Sequence, residues 1–110
     1  MTEKSTRTHD LNEIKRLIND GDFYIRSTAR KDALSLGFSD TELVEIILSL
    51  GNCDFYRSKT DYNNHREWHD IYKCEREGRK LYIKFKTGRS NSNKICIITS
   101  FKRDEEGTDV

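Results

Sequence analysis

Between residues 56 and 102 the chain gathers the side chains that phosphodiester chemistry needs. Tyr56, His69 and Tyr82 can carry a proton. Arg57, Lys59, Lys73, Lys84 and Lys102 can hold negative charge. In RNA the 2′-hydroxyl can attack its own neighbouring phosphorus. One group must then take its proton, another must protonate the leaving 5′-oxygen, and cations must face the crowded phosphate oxygens. A His, Tyr or Lys in such a role contributes about 10²–10⁴-fold. A sheet face carrying these Tyr, His, Arg and Lys side chains would hold no carboxylate pair, which argues against a cation or a sugar as the bound species. Asp70 is a single carboxylate next to His69, placed to pair with a base or to orient that imidazole. The same residue types also occur on ordinary solvated sheet faces, and Trp68 and Phe55 read more simply as core.

Charge is distributed unevenly. The net charge of +1 over 110 residues divides into −2 for residues 1–51, +7 for residues 52–103 and −4 for residues 104–110. A basic segment interleaved with aromatics suits a polyanion whose bases can stack. A non-catalytic nucleic-acid-binding module would need the same charges and rings without the proton carriers, and it is the alternative to an enzyme.

Other classes are excluded. No apolar run approaches the ~20 residues of a membrane span, and the polar N-terminus is no secretory signal. Cys53, Cys74 and Cys96 are widely spaced and make no metal-ligand pattern with His9, His65 and His69. The expectation is therefore no metal, no cofactor and three reduced thiols in a cytoplasmic protein.

The elements that would position these residues follow from periodicity. Residues 1–8 are polar and read as a disordered tail. Leu11, Ile14, Leu17 and Ile18 fall on one face of a helix near 10–20, which Gly21 ends. Residues 22–26 are strand-like. Ser27 or Thr28 is placed to cap a second helix carrying Ala29, Ala33 and Leu36, which Gly37 stops. Ser39 and Glu42 form a capping box for a third helix, with Leu43, Ile46, Ile47 and Leu50 as its apolar stripe. The period then changes. Strands are expected over 54–60, 67–75, 80–86 and 94–102, with a hairpin at Arg76–Arg79 and a polar loop over 87–93. Leu81, Ile83 and Phe85 point one way; Tyr82, Lys84 and Lys86 point the other. His69 and Lys73 share one parity. Helices first and an antiparallel meander second imply an α+β domain, with the N-terminal helices packed on one face of a mostly antiparallel C-terminal sheet. One domain is expected over 9–103, followed by an acidic tail over 104–110.

The run Asp54-Phe55-Tyr56-Arg57-Ser58, then Thr60 and Tyr62, His65, Trp68-His69-Asp70-Ile71-Tyr72, Tyr82-Ile83-Lys84 and Ser100-Phe101-Lys102 resembles the MqsR (motility quorum-sensing regulator) family of toxins from type II toxin–antitoxin modules. The likeness covers residues 9–102. It implies a RelE-like fold and a metal-independent endoribonuclease, an mRNA interferase that cuts messenger RNA at short motifs and arrests growth. It also implies a zinc-containing antitoxin with a helix-turn-helix DNA-binding domain, operator DNA reached only through that complex, and a free toxin that is a monomer. Matching positions place Tyr56 and Arg57 on the family's Tyr-Lys pair, Tyr82 on its active-site tyrosine, Lys102 on its C-terminal lysine and Lys73 on a substrate-contacting arginine. Arg57 replaces Lys, which favours phosphate clamping over acid–base work. His69 replaces Gln and adds a titratable group. Lys59 replaces Met and offers a phosphate contact. The resulting assignment is His69 and Tyr82 for proton transfer and Arg57 and Lys102 for charge. Tyr56, Lys59, Lys73 and Lys84 would contact the substrate.

Overall fold

The computed structural model describes residues 2–105. Helix α1 (Leu11–Asn19) begins where the Asp10 carboxylate accepts a hydrogen bond from the Asn12 N–H. It buries Leu11, Ile14, Leu17 and Ile18, the face its 3.6-residue spacing dictates. Helix α2 (Ser27–Ser35) follows a three-residue strand at Phe23–Ile25 without a side-chain cap. Arg26, not Ser27 or Thr28, is its N-cap. The Arg26 N–H donates to the Ile98 carbonyl, which fixes the chain one residue earlier than the sequence suggests. Helix α3 (Asp40–Leu48) starts on the capping box of Ser39 and Glu42 and buries Leu43, Ile46 and Ile47.

Among the described residues the sheet has six strands. In chain order they are β1 (Glu3–Lys4), β2 (Phe23–Ile25), β3 (Phe55–Thr60), β4 (Trp68–Arg76), β5 (Arg79–Ser90) and β6 (Asn93–Arg103). Their spatial order is β1-β3-β4-β5-β6-β2, and every pairing is antiparallel except β2 with β6. The domain is α+β as expected. Tyr72, Leu81, Ile83, Phe85, Cys96, Ile98 and Phe101 form one buried cluster with the inner faces of the helices. Phe38 meets Phe101 edge-on at 5.8 Å, and Tyr72 stacks on Phe85 at 5.2 Å. Burial pushes the Cys96 thiol up to about 12, so it stays protonated as a small core residue. Among the described residues no helix is long and apolar enough to cross a membrane.

Several expectations are corrected. Residues 2–8 are not a loose tail. Glu3–Lys4 pairs with Ser58 and Lys59, the Lys4 ammonium lies 4.3 Å from the Trp68 ring centre, and the Thr8 N–H reaches Asp70. Residues 87–93 are not a loop. Strand β5 runs on to Ser90, and Asn91 and Ser92 turn the chain with φ of 51° and 72°. The Glu77-Gly78 turn has the same positive-φ character, but there glycine advertises it. Asp70 does not orient His69. It lies on the opposite face and is buried among backbone donors. Of the acidic tail, Asp104 folds back: its N–H donates to the Lys80 carbonyl, and its carboxylate lies 3.4 Å from Lys73 Nζ. Residues 106–110 lie outside the described residues.

Candidate active site

Strand register assembles the site on the sheet face away from the helices. Directly paired residues share a face, so Lys73, Tyr82 and Lys102 form one rank across β4, β5 and β6. Arg57, Ile71, Lys84 and Ser100 form the next rank, and Lys59 opposite His69 begins a third. Two irregularities adjust the ranks. One falls between Phe55 and Arg57 and leaves Tyr56 as an extra residue. The Tyr56 ring consequently lies 3.8 Å from Lys73 Nζ and 5.1 Å from the Arg57 guanidinium. The other falls at Lys84/Phe85 and turns Thr99 toward His69.

Two adjoining clefts share Lys59 and Tyr82. One is walled by Arg26, Asp61, His69 and Lys84, and the other by Lys102, Arg103 and Asp104. The structure thus brings together His69, Tyr82, Lys59, Lys84 and Lys102. Arg57, Tyr56 and Lys73 form a second group alongside. Lys102 Nζ is 5.1 Å from the Tyr82 ring centre. Lys84 is pushed below the ordinary lysine range, first by burial and then by Lys102, with Lys59 and Arg26 adding to the effect.

His69 departs from expectation in one respect. It is 3% exposed, and both ring nitrogens are engaged. Nε2 lies 3.1 Å from Asp61 Oδ2, and Nδ1 lies 3.2 Å from Thr99 Oγ1. Both His69 and Asp61 line the cleft, with the Asp61 carboxylate on His69 Nε2. Burial lowers the His69 pKa below 6.5; Asp61 pulls the other way, and Lys84 and Lys86 reinforce the lowering. A neutral ring donates from Nε2 to Asp61 and accepts at Nδ1 from the Thr99 hydroxyl. In the charged ring Nδ1 becomes a donor, and the Thr99 proton turns to the Lys84 carbonyl, 3.2 Å away. The sign of the resulting pH dependence follows. The unfolded chain binds this proton more readily than the folded one, so stability is full above pH 6.5 and falls as pH drops from there toward the lowered folded value. Thermal unfolding should show this decline in the native chain, and His69→Gln should remove that component.

Arg26, Asp61 and Tyr62 were not foreseen as site residues. Arg26 arrives because β2 pairs with β6, through Ile25 opposite Ile98. Asp61 and Tyr62 belong to the β3–β4 connection, and no side-chain periodicity marks them. The Asp61 carboxylate is held below its usual range by the Asn63 N–H and by His69. Asp61, Glu67 and His69 have donor atoms within 4.8 Å of one another, a spacing that could hold a metal. Lys86 Nζ lies 2.6 Å from Glu67 Oε2, so an ammonium already supplies the positive charge there. Glu3 caps the far end of the face, 2.9 Å from Arg57 and 3.6 Å from Lys59. Arg57 in turn holds the Glu3 carboxyl below its ordinary range.

Residues 6–103 match the sequence profile of the family described as motility quorum-sensing regulator, toxin of MqsA. The chain is also similar to the mRNA interferase toxin MqsR of Escherichia coli (strain K12). Identity is 32% over 82 residues, which covers 74% of this chain and 84% of that protein.

Proposed function

The chain belongs to the MqsR toxin family, and from that premise we propose that it is the toxin of a type II toxin–antitoxin module, an mRNA interferase that cleaves single-stranded RNA by 2′-hydroxyl attack. The observation that carries this reading is the rank of Lys73, Tyr82 and Lys102 beside Lys84, Lys59 and Arg57: one proton-bearing hydroxyl among cations at the spacing of a strand ladder. Tyr82 exchanges a proton with the RNA directly. Lys84 and Lys102 hold the charge that gathers on the phosphate oxygens, and Arg57, Lys59 and Lys73 hold flanking phosphates. Tyr56 is fixed between Lys73 and Arg57 and positions the substrate. His69 lines the same cleft, with Asp61 on its Nε2, and is the second group through which a proton moves. With Tyr82 and His69 for the two proton transfers and the lysines and Arg57 for the phosphate charge, this reading needs no metal ion. The natural partner is a cognate antitoxin, zinc-containing with a helix-turn-helix domain through which the pair would reach operator DNA. The toxin acts in the cytoplasm.

Two outcomes test this reading. Cleavage should continue undiminished in excess EDTA; a complete stop restored by added divalent cation would contradict it. Glu3 occupies Arg57 and Lys59 in the free chain, so RNA must displace it. Glu3→Gln should tighten RNA binding at low salt by about two- to fivefold, the span expected of an exposed ion pair. Titrations in parallel at rising salt should show the advantage shrinking.

A further inference from the structure

We propose that Tyr62 is a stacking platform for a nucleobase beside the scissile phosphate, and that Asp61 positions it. The inference rests on reading the cleft as an RNA site. Tyr62 is the most exposed of the large apolar side chains among the described residues, at 80%, and it lines the same cleft as Lys59, Tyr82 and Lys84. Burial in a core does not explain a ring left in water at the mouth of a basic cleft.

The backbone beneath the ring is held. The Asp61 N–H donates to the Glu67 carbonyl at 2.7 Å, and the Glu67 N–H donates to the Asn64 carbonyl at 3.1 Å. Asp61 Oδ1 accepts from the Asn63 N–H at 2.8 Å, an Asx turn with Tyr62 at its corner. The other oxygen, Oδ2, is tied to the buried His69. A carboxylate thus clamps the residues on both sides of Tyr62 while the ring stays accessible. Little conformational freedom is left to lose when a base arrives. Every base offers a π-face, and stacking on an aromatic contributes about 1–3 kcal/mol per base. The neighbouring lysines suit the phosphates on either side, so ring and cations together fit a single strand with its bases turned out.

The test uses a mixed-sequence 2′-O-methyl RNA, which binds but lacks the attacking hydroxyl, and an abasic oligomer of equal length. With the methylated RNA, Tyr62→Ala should raise Kd by about 5- to 150-fold, the equivalent of losing one stacked base. Tyr62→Phe and Tyr62→Trp should stay within about twofold of the native chain, since both keep a π-face. On the abasic oligomer, Tyr62→Ala and the native chain should bind alike. Asp61→Asn keeps an acceptor for the Asn63 N–H but loses the carboxylate oxygen that faces His69 Nε2, and should show a smaller loss confined to the oligomer with bases. Unchanged affinity in Tyr62→Ala overturns the proposal, as does a loss that persists without bases. If the native chain binds neither oligomer, the RNA reading falls and takes this proposal with it. If it binds and cleaves RNA while Tyr62→Ala binds equally well, only the Tyr62 proposal fails.

Discussion

Tyr82→Phe should lower the single-turnover rate of RNA cleavage by roughly 10²–10⁴-fold while changing RNA affinity little. The substitution removes one oxygen and its proton. The ring remains, and with it the shape of both clefts and the face that Lys102 approaches at 5.1 Å. Lys73 and Lys102 stay opposite residue 82 because backbone pairing, not the hydroxyl, sets the rank. The fold should therefore persist, with the thermal midpoint well above the assay temperature. If the hydroxyl served only to bind RNA, the loss would appear in KM at unchanged kcat. A rate that survives the substitution would remove Tyr82 from proton transfer altogether.

Asp70→Ala should damage stability more than truncation of any other buried polar side chain in the sheet. The carboxylate is fully buried and accepts from two backbone donors, Thr8 N–H at 3.1 Å to each oxygen and His9 N–H at 2.8 Å. Ser58, paired with Asp70 on the neighbouring strand, meets the Thr8 hydroxyl at 2.9 Å, so the same contact stitches the entry to α1 onto β3 and β4. A hydrogen bond to a charged group contributes about 1.5–3 kcal/mol, and leaving its donor buried without a partner adds to the loss. A cost of about 3 kcal/mol should lower the thermal midpoint by roughly 12–24 °C for a domain of this size. Asp70→Asn keeps one acceptor and should fall between the two. The folded Asn variant should still cleave RNA well below its midpoint, because Asp70 and His69 lie on opposite faces of β4.

That opposition shows where sequence reasoning reaches its limit. Adjacency suggested that Asp70 orients His69; strand alternation places them back to back, and Asp61 takes the role from a loop eight positions earlier. Local patterns were legible. The stripe of α1, the capping box of α3 and the alternation from Leu81 to Phe85 each encode their structure within a few residues. So was the basic face, because Lys73, Tyr82, Lys84 and Lys102 follow from strand parity once the hairpin is placed. Long-range pairing was not legible. Arg26 reaches the cleft only because Phe23–Ile25 joins β6 in parallel, more than seventy residues away in sequence. Strand β1 is two residues long and exists through its contacts with β3, so no periodicity announces it. The irregularity that frees Tyr56 to meet Lys73 carries no compositional mark either. The Asn91-Ser92 turn lacks the glycine that marks Glu77-Gly78, and the end of the β5–β6 hairpin accordingly read as a loop.

RNA cleavage by the basic face is tested most simply by incubating the purified chain with a long mixed-sequence RNA in EDTA and mapping the new 5′ ends. Discrete cuts at a short recurring motif are expected, unaffected by chelation and lost in Tyr82→Phe. Intact RNA under conditions where the folded chain binds it, or cuts that Tyr82→Phe leaves in place, would contradict a ribonuclease built on Tyr82.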